Sequence, residues 1–333
     1  MNMKQWLEEV KASQTKKPMP ILSFPCVSLL SVSVKELTSS SDLQSKGMKM
    51  IADKYDTLAS VSMMDLSVEA EAFGANVRFS DDEVPTITGA LVTDPEEAKS
   101  LVVPSVSSGR CSIYLDAIKK AKELITDRPV FAGVIGPFSL AGRLMDVTEA
   151  MVNCYVEPDM VHDVLDKAAE FLISYIKEYK KMGANGVVMA EPLAGMLSPA
   201  LSAEFSGEYV KKIVDAVQDD EFIVIYHNCG DNVLLMVDSI LETGAAAYHF
   251  GNSIKMIDML AKVPNNLVVM GNVDPAGQIK EGTPKSVKEA TLNIMNECCS
   301  YVNFVISSGC DIPPASPWDN IDAFFNAINE FYH

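Results

Sequence analysis

Arginine is nearly missing from this sequence: of 27 basic residues in a chain of 333, only Arg78, Arg110, Arg128 and Arg143 are arginines. A site that clamps a polyanion through guanidinium forks would be short of parts. Against 45 Asp and Glu the basic residues leave a net charge of −18. That balance excludes nucleic acid and an anionic membrane surface as partners, because affinity for phosphates comes mainly from Lys and Arg. No apolar run approaches the roughly 18 residues needed to span a bilayer. The start, Met1 to Lys17, is polar and has no signal-peptide core. The seven cysteines are odd in number and unevenly spaced, unlike the short, even sets of secreted disulfide scaffolds, so they are expected to be reduced thiols of a soluble, cytoplasmic protein.

What is present is a rhythm. Eight short β-branched or apolar runs recur: Ile21 to Leu29, Leu58 to Met64, Val130 to Ile135, Gly186 to Met189, Phe222 to Tyr226, Ala245 to Phe250, Leu267 to Met270 and Val302 to Ile306. Between them lie amphipathic stretches such as Met160 to Met182, Ser202 to Gln218, Val233 to Thr243 and Ser286 to Cys298. Strand then helix, repeated, implies a parallel sheet with helical crossovers. Eight units suit an α/β fold of the closed (β/α)8 TIM-barrel type, as a single domain over residues 1–333 with an N-terminal helical extension over about 1–18. The acidic stretch from Ser67 to Ser100 is expected to form loops or a small excursion on the barrel. No repeat, low-complexity tract or linker divides the chain.

Polar clusters follow the runs where a barrel builds its active site, at the C-terminal strand ends. They are Gly136-Pro137, Glu191-Pro192, His227-Asn228-Cys229-Gly230-Asp231, Gly251-Asn252, Gly271-Asn272-Val273-Asp274-Pro275 and Gly309-Cys310-Asp311. His227 and Cys229 stand two apart at a strand end, so both side chains leave one side of the backbone. A closed barrel would bring Cys310, at the end of the eighth run, to the same rim. Two Cys and one His suit Zn²⁺ and leave a fourth position open. Two thiolates would cancel the ion's charge, which makes such a centre poor at activating water. It is suited to lowering the pKa of a substrate thiol while leaving the sulfur nucleophilic, so thiol alkylation fits better than hydrolysis. A hydrogen-bonded histidine beside ordinary core thiols is the bland alternative, open on spacing alone.

These same stretches, Tyr226-His227-Asn228-Cys229-Gly230, Gly271-Asn272-Val273-Asp274-Pro275 and Ser308-Gly309-Cys310-Asp311-Ile312-Pro313-Pro314, resemble the uroporphyrinogen decarboxylase superfamily. More closely they are similar to its corrinoid-dependent branch, the methylcobamide:coenzyme M methyltransferases. Val68-Glu69-Ala70-Glu71-Ala72-Phe73-Gly74 and Gly136-Pro137-Phe138-Ser139-Leu140-Ala141-Gly142 support the resemblance, which runs from about residue 20 to the end. It implies a barrel that moves a methyl group from a methylcorrinoid, carried by a separate corrinoid protein, to a small-molecule acceptor that is a thiol such as coenzyme M. It also implies His227, Cys229 and Cys310 as catalytic zinc ligands, with Glu191 a further candidate ligand or substrate contact. His249, Asn252, Asp274 and Asp311 are the remaining candidates for acceptor binding. The sequence departs from the pattern at His249-Phe250-Gly251-Asn252, where the resemblance leads one to expect an acidic residue.

Protein-bound corrinoids are often held by Asp-x-His-x-x-Gly, and here Ile225 stands where Asp is required, so the corrinoid is expected from a partner. That partner should meet an apolar face, for which Met63, Met64, Met196 and Phe250 are candidates. A decarboxylase of a porphyrinogen-like acid is the alternative within enzymes. It fits less well, since that branch relies on an arginine-rich N-terminal motif and this chain has no arginine before Arg78. Tetrahydrofolate is an alternative acceptor, and a corrinoid- or metal-binding accessory protein the alternative outside catalysis.

Overall fold

The computed structural model describes residues 1–333. Seven strands form one parallel sheet that curls upon itself: β1 (Ser60–Val61), β4 (Val130–Ile135), β5 (Gly186–Ala190), β6 (Ile223–Asn228), β7 (Ala247–Phe250), β8 (Val268–Val273) and β9 (Phe304–Ser308), in that spatial order. The remaining two, β2 (Asn76–Arg78) and β3 (Thr86–Thr88), pair antiparallel as a separate hairpin within the long acidic excursion. No helix is long and apolar enough to cross a membrane.

The α/β class and seven of the eight expected strands are present, but the first run forms no strand. Pro18 and Pro20 carry no N–H and so cannot donate to a ladder. What remains is an extended segment touching both edges of the sheet. Met19 N donates to Ile306 O at 3.1 Å and Leu58 N donates to Pro18 O at 2.8 Å, while Ile21 N donates to Ser308 Oγ at 3.0 Å. After Pro25 the chain turns into the helix Cys26–Leu30.

Side chains alternate across each strand. Outward residues such as Val224, Tyr226 and Tyr248 join the large core beneath the helices. The helix Pro158–Lys181 shows why they are covered: Val161, Leu165, Ala168, Leu172, Tyr175 and Tyr179, three or four apart, are all buried, giving one continuous apolar stripe. Inward residues form a second core with Val61, Phe131, Val188, Ile223, Ile225, Ala247, Val268, Met270 and Val305. The N-terminal extension, helical over Met3–Ala12, contributes Met3, Trp6 and Val10 to it. Met3 N donates to Asp220 O at 2.7 Å, just before β6, so this helix plugs the N-terminal end of the sheet. There the Trp6 ring sits 5.9 Å from that of Phe131.

Candidate metal centre at the strand ends

The inward tier changes character two residues further along each strand. Ile225 is followed by His227, Ala247 by His249, Met270 by Asn272 and Val305 by Ser307. Parallel register places His227 directly beside His249. At the mouth above them the ligand-capable atoms of His227, Cys229 and Cys310 all lie within 4.8 Å of one another. Cys310 Sγ stands 3.4 Å from His227 Nε2. His227 is buried and the two thiols are partly open.

The turn carrying Cys229 is shaped by its neighbours. Asn228 Oδ1 accepts from Gly230 N at 2.9 Å, and Asn228 Nδ2 donates to Tyr226 Oη at 3.0 Å. Glycine is required across from it: a Cβ on Gly251 would stand 2.6 Å from Cys229 Cα, so any larger residue would push the β6 and β7 loops apart. Asn272 ties the second loop down, with Nδ2 donating to Gly251 O and Ile254 O, each at 2.9 Å.

Hydrogen-bond accounting sets the tautomer of His227. Ser307 Oγ donates to Met19 O at 2.7 Å, and a carbonyl can only accept. Ser307 therefore has to accept at its other contact, 2.8 Å from His249 Nε2. With the His249 proton on Nε2, its Nδ1 is an acceptor, and it lies 2.8 Å from His227 Nδ1. Burial, then the neighbouring His227, holds the His249 imidazole well below its usual value, so it stays neutral. His227 consequently carries its proton on Nδ1 and leaves the Nε2 lone pair facing Cys310, the form a metal requires of a histidine ligand.

The two thiols behave as a pair. The hydrogen bond from Cys310 draws Cys229 below the ordinary thiol value, while that same bond and burial push Cys310 up to about 12. Cys229 is thus the more acidic sulfur of the pair, and a divalent cation binding both would displace the protons they hold. The donor set, two soft sulfurs and a bare imidazole nitrogen within 4.8 Å of one another, fits zinc with one position open.

The other predicted residues separate from this cluster. Glu191 is fully buried, and both its oxygens are engaged by the start of the helix Pro137–Met145. Phe138 N and Ser206 Oγ donate to Oε1 at 2.7 and 2.8 Å, and Ser139 N donates to Oε2 at 3.1 Å. A carboxylate at a helix N-terminus is favourable, yet burial outweighs those bonds and raises Glu191 to about 7. Asp274 caps its own turn, accepting from Ala276 N and Gly277 N. Asn252 is exposed and packs against Gly309. Asp311 faces a neighbouring cavity, and its buried Oδ1 has no partner. Of the four candidates for an apolar docking face, Met63 and Phe250 are core, Met64 is buried against the same cavity as Asp311, and Met196 alone is exposed.

Sequence reasoning missed Ser307 and gave Asn272 no role beyond its place in a rim cluster, although period-two counting from Val305 and Met270 reaches both. It also missed the buried network around Arg110. That guanidinium meets Asp65 at 2.5 Å and Glu71 at 2.7 Å, Ser67 Oγ at 2.7 Å, and Tyr114 Oη donates to the same Asp65 at 2.7 Å.

The family model described as uroporphyrinogen decarboxylase (URO-D) matches residues 27–331. The chain belongs to the uroporphyrinogen decarboxylase family. It is similar to the methylcobamide:CoM methyltransferase MtbA of Methanosarcina mazei, at 28% identity over 273 residues, covering 80% of this chain and 78% of that one. It is also similar to a uroporphyrinogen decarboxylase of Prochlorococcus marinus, at 27% over 263 residues, covering 74% and 72%. The solved structure of a methyltransferase from Methanosarcina mazei has a TM-score of 0.86 at 22% identity, with 100% of both chains covered, and so shares the fold. Methyltransferases and decarboxylases thus stand at almost equal distance within the family, and the residues at the rim must discriminate between them.

Proposed function

We propose that this chain is a methyltransferase that moves a methyl group from a methylated corrinoid, borne by a partner protein, to a small thiol, with zinc held by His227, Cys229 and Cys310. The observation that carries the reading is the convergence of two thiols and one imidazole within 4.8 Å at the strand ends. Decarboxylation of a porphyrinogen has no use for such a donor set. The chemistry that zinc supplies when bound there is a lowered pKa for a thiol in the open position.

The chain's own residues account for the rest. Cys229 and Cys310 provide the charge that offsets a divalent cation, and His249 with Ser307 keeps the His227 lone pair directed at it. The buried tiers below seal the N-terminal end, so donor and acceptor enter from one mouth. In the transfer the acceptor thiol would give up its proton to solvent, its sulfur would form the S–C bond as the donor's bond to the methyl carbon breaks, and that bond's electron pair would stay with the donor.

A decarboxylase is the second reading, favoured by the Prochlorococcus relative. Against it stands the use of the arginines. Arg110 is consumed by Asp65 and Glu71, Arg128 by Asp127, Tyr55 O and Thr57, and Arg78 is exposed on β2. Arg143 is the one partly buried guanidinium left for a substrate with many carboxylates. The deciding experiment is anoxic: zinc-loaded protein with methylcobalamin and a thiol panel, following loss of the methylcobalamin absorbance. Thiol-dependent loss is expected. Release of CO2 from a porphyrinogen, without methyl transfer, would replace the first reading by the second.

A further inference from the structure

The remaining arginine has no partner. Arg143 is half-buried in the helix Pro137–Met145, and burial alone draws its guanidinium down from the ordinary value, with no carboxylate offsetting it. It lines a cavity of about 310 Å³ together with Met64, Ser67, Thr86, Asp311 and Pro313. That volume is at the low end of small-molecule sites. Met64 and Ser67 follow β1, Asp311 and Pro313 follow β9, and the Arg143 helix follows β4. The cavity therefore opens on the same rim as the metal centre, and Asp311 is the residue after Cys310.

A guanidinium buried without a counter-ion is costly and gains from any anion that can reach it. Its planar fork matches a carboxylate or sulfonate, two bonds at a time. Arg143 is also held in place from behind, because Glu191 grips the first turn of its helix through Phe138 N and Ser139 N. Asp311, whose buried Oδ1 has no partner, is the one acidic residue lining the cavity.

We propose that Arg143 and this cavity form the subsite for a single anionic group on the acceptor, placing its far end at the rim beside Cys310. The inference deepens the thiol-transfer reading and rests on it. One guanidinium answers one anionic group, and no second arginine lines the cavity. Two sources share this chemistry: a simple carboxylate or sulfonate thiol, and an amino-acid thiol whose ammonium would meet Asp311.

The test uses thiol-free probes, so that it reads the subsite without methyl transfer. Butyrate, propane-1-sulfonate, 2-aminobutyrate and neutral butyramide are titrated against the zinc-loaded protein by ligand-observed NMR. Saturable binding of at least one anionic probe is expected, none of butyramide, with at least tenfold weakening in Arg143→Gln and an intermediate value in Arg143→Lys. Stronger binding of 2-aminobutyrate than butyrate, lost in Asp311→Asn, assigns the amino-acid class; the reverse order assigns the simple anion. Equal binding of butyramide, unchanged affinity in Arg143→Gln, or no binding of any probe to the parent protein overturns the proposal. The comparison among probes on the parent protein stands even if a variant fails to fold. In turnover, the ratio of kcat/KM for 3-mercaptopropionate over 2-mercaptoethanol should fall at least tenfold in Arg143→Gln. Anion binding that depends on Arg143 in a protein without methyl transfer would sink the functional reading alone. Methyl transfer blind to the thiol's charge would sink the subsite alone.

Discussion

The lower and upper tiers of the sheet interior are built on the same strands, two residues apart, and differ in almost everything else. Below, Ile225, Ala247, Met270 and Val305 bury apolar surface against Trp6 and Phe131, each large side chain contributing about 1.5–3 kcal/mol of transfer free energy. Above, His227, His249, Asn272 and Ser307 bury polar atoms that are tolerated because each is hydrogen-bonded. The lesson is a division of labour along single strands: the lower tier holds the backbone in register, and register then sets which polar atoms meet.

The largest separation of the two tiers is expected from Phe131→Ala. Removing a fully buried ring from the lower tier should cost about 3–5 kcal/mol in chemical unfolding, while zinc stoichiometry of the folded fraction is retained. Cys310→Ala acts at the other end. It should leave the unfolding midpoint of the metal-free protein nearly unchanged and weaken zinc in chelator competition by roughly 10³-fold, or about 4 kcal/mol, a share of the 10–16 kcal/mol that full donor sets supply.

The buried carboxyls of the upper end should also make stability depend on pH. Burial raises Glu69 to about 7 from an ordinary 4.5, and its Oε2 has no partner. The unfolded chain releases that proton first as pH rises, so the folded state binds more protons between about 4.5 and 7 and stability falls across that window. The loss is on the order of 3 kcal/mol. In Glu69→Gln this decline should shrink, measured as unfolding free energy at pH 5 and pH 7. The smallest effect is expected from His249→Leu, which cuts the relay behind His227. Zinc affinity should drop about 10–100-fold, with partial recovery in His249→Gln, whose amide can accept from His227 and donate to Ser307.

How far these tiers were visible beforehand follows from the range of the interactions. Strands β4 to β9 of the curled sheet announce themselves through short β-branched runs, and the Cys-Cys-His set through its spacing and residue types. The first run misleads because its apolar residues resemble a strand while Pro18 and Pro20 remove the donors a ladder needs. Glu191 was assigned by its place at a strand end. Its partners, however, are backbone N–H groups of a helix more than fifty residues away, and no local pattern marks them. Arg143 was counted among four arginines, but being unpaired is a property of packing, seen only once Arg110 and Arg128 have found their carboxylates.

X-ray absorption at the zinc edge tests the central claim most directly. Protein loaded with one zinc should show two sulfur neighbours near ~2.3 Å and one imidazole nitrogen near ~2.0–2.1 Å, with a light atom completing four, and a third sulfur on adding the acceptor thiol. A shell of only nitrogen and oxygen, or a sulfur count that stays at two with saturating thiol under turnover conditions, would contradict it.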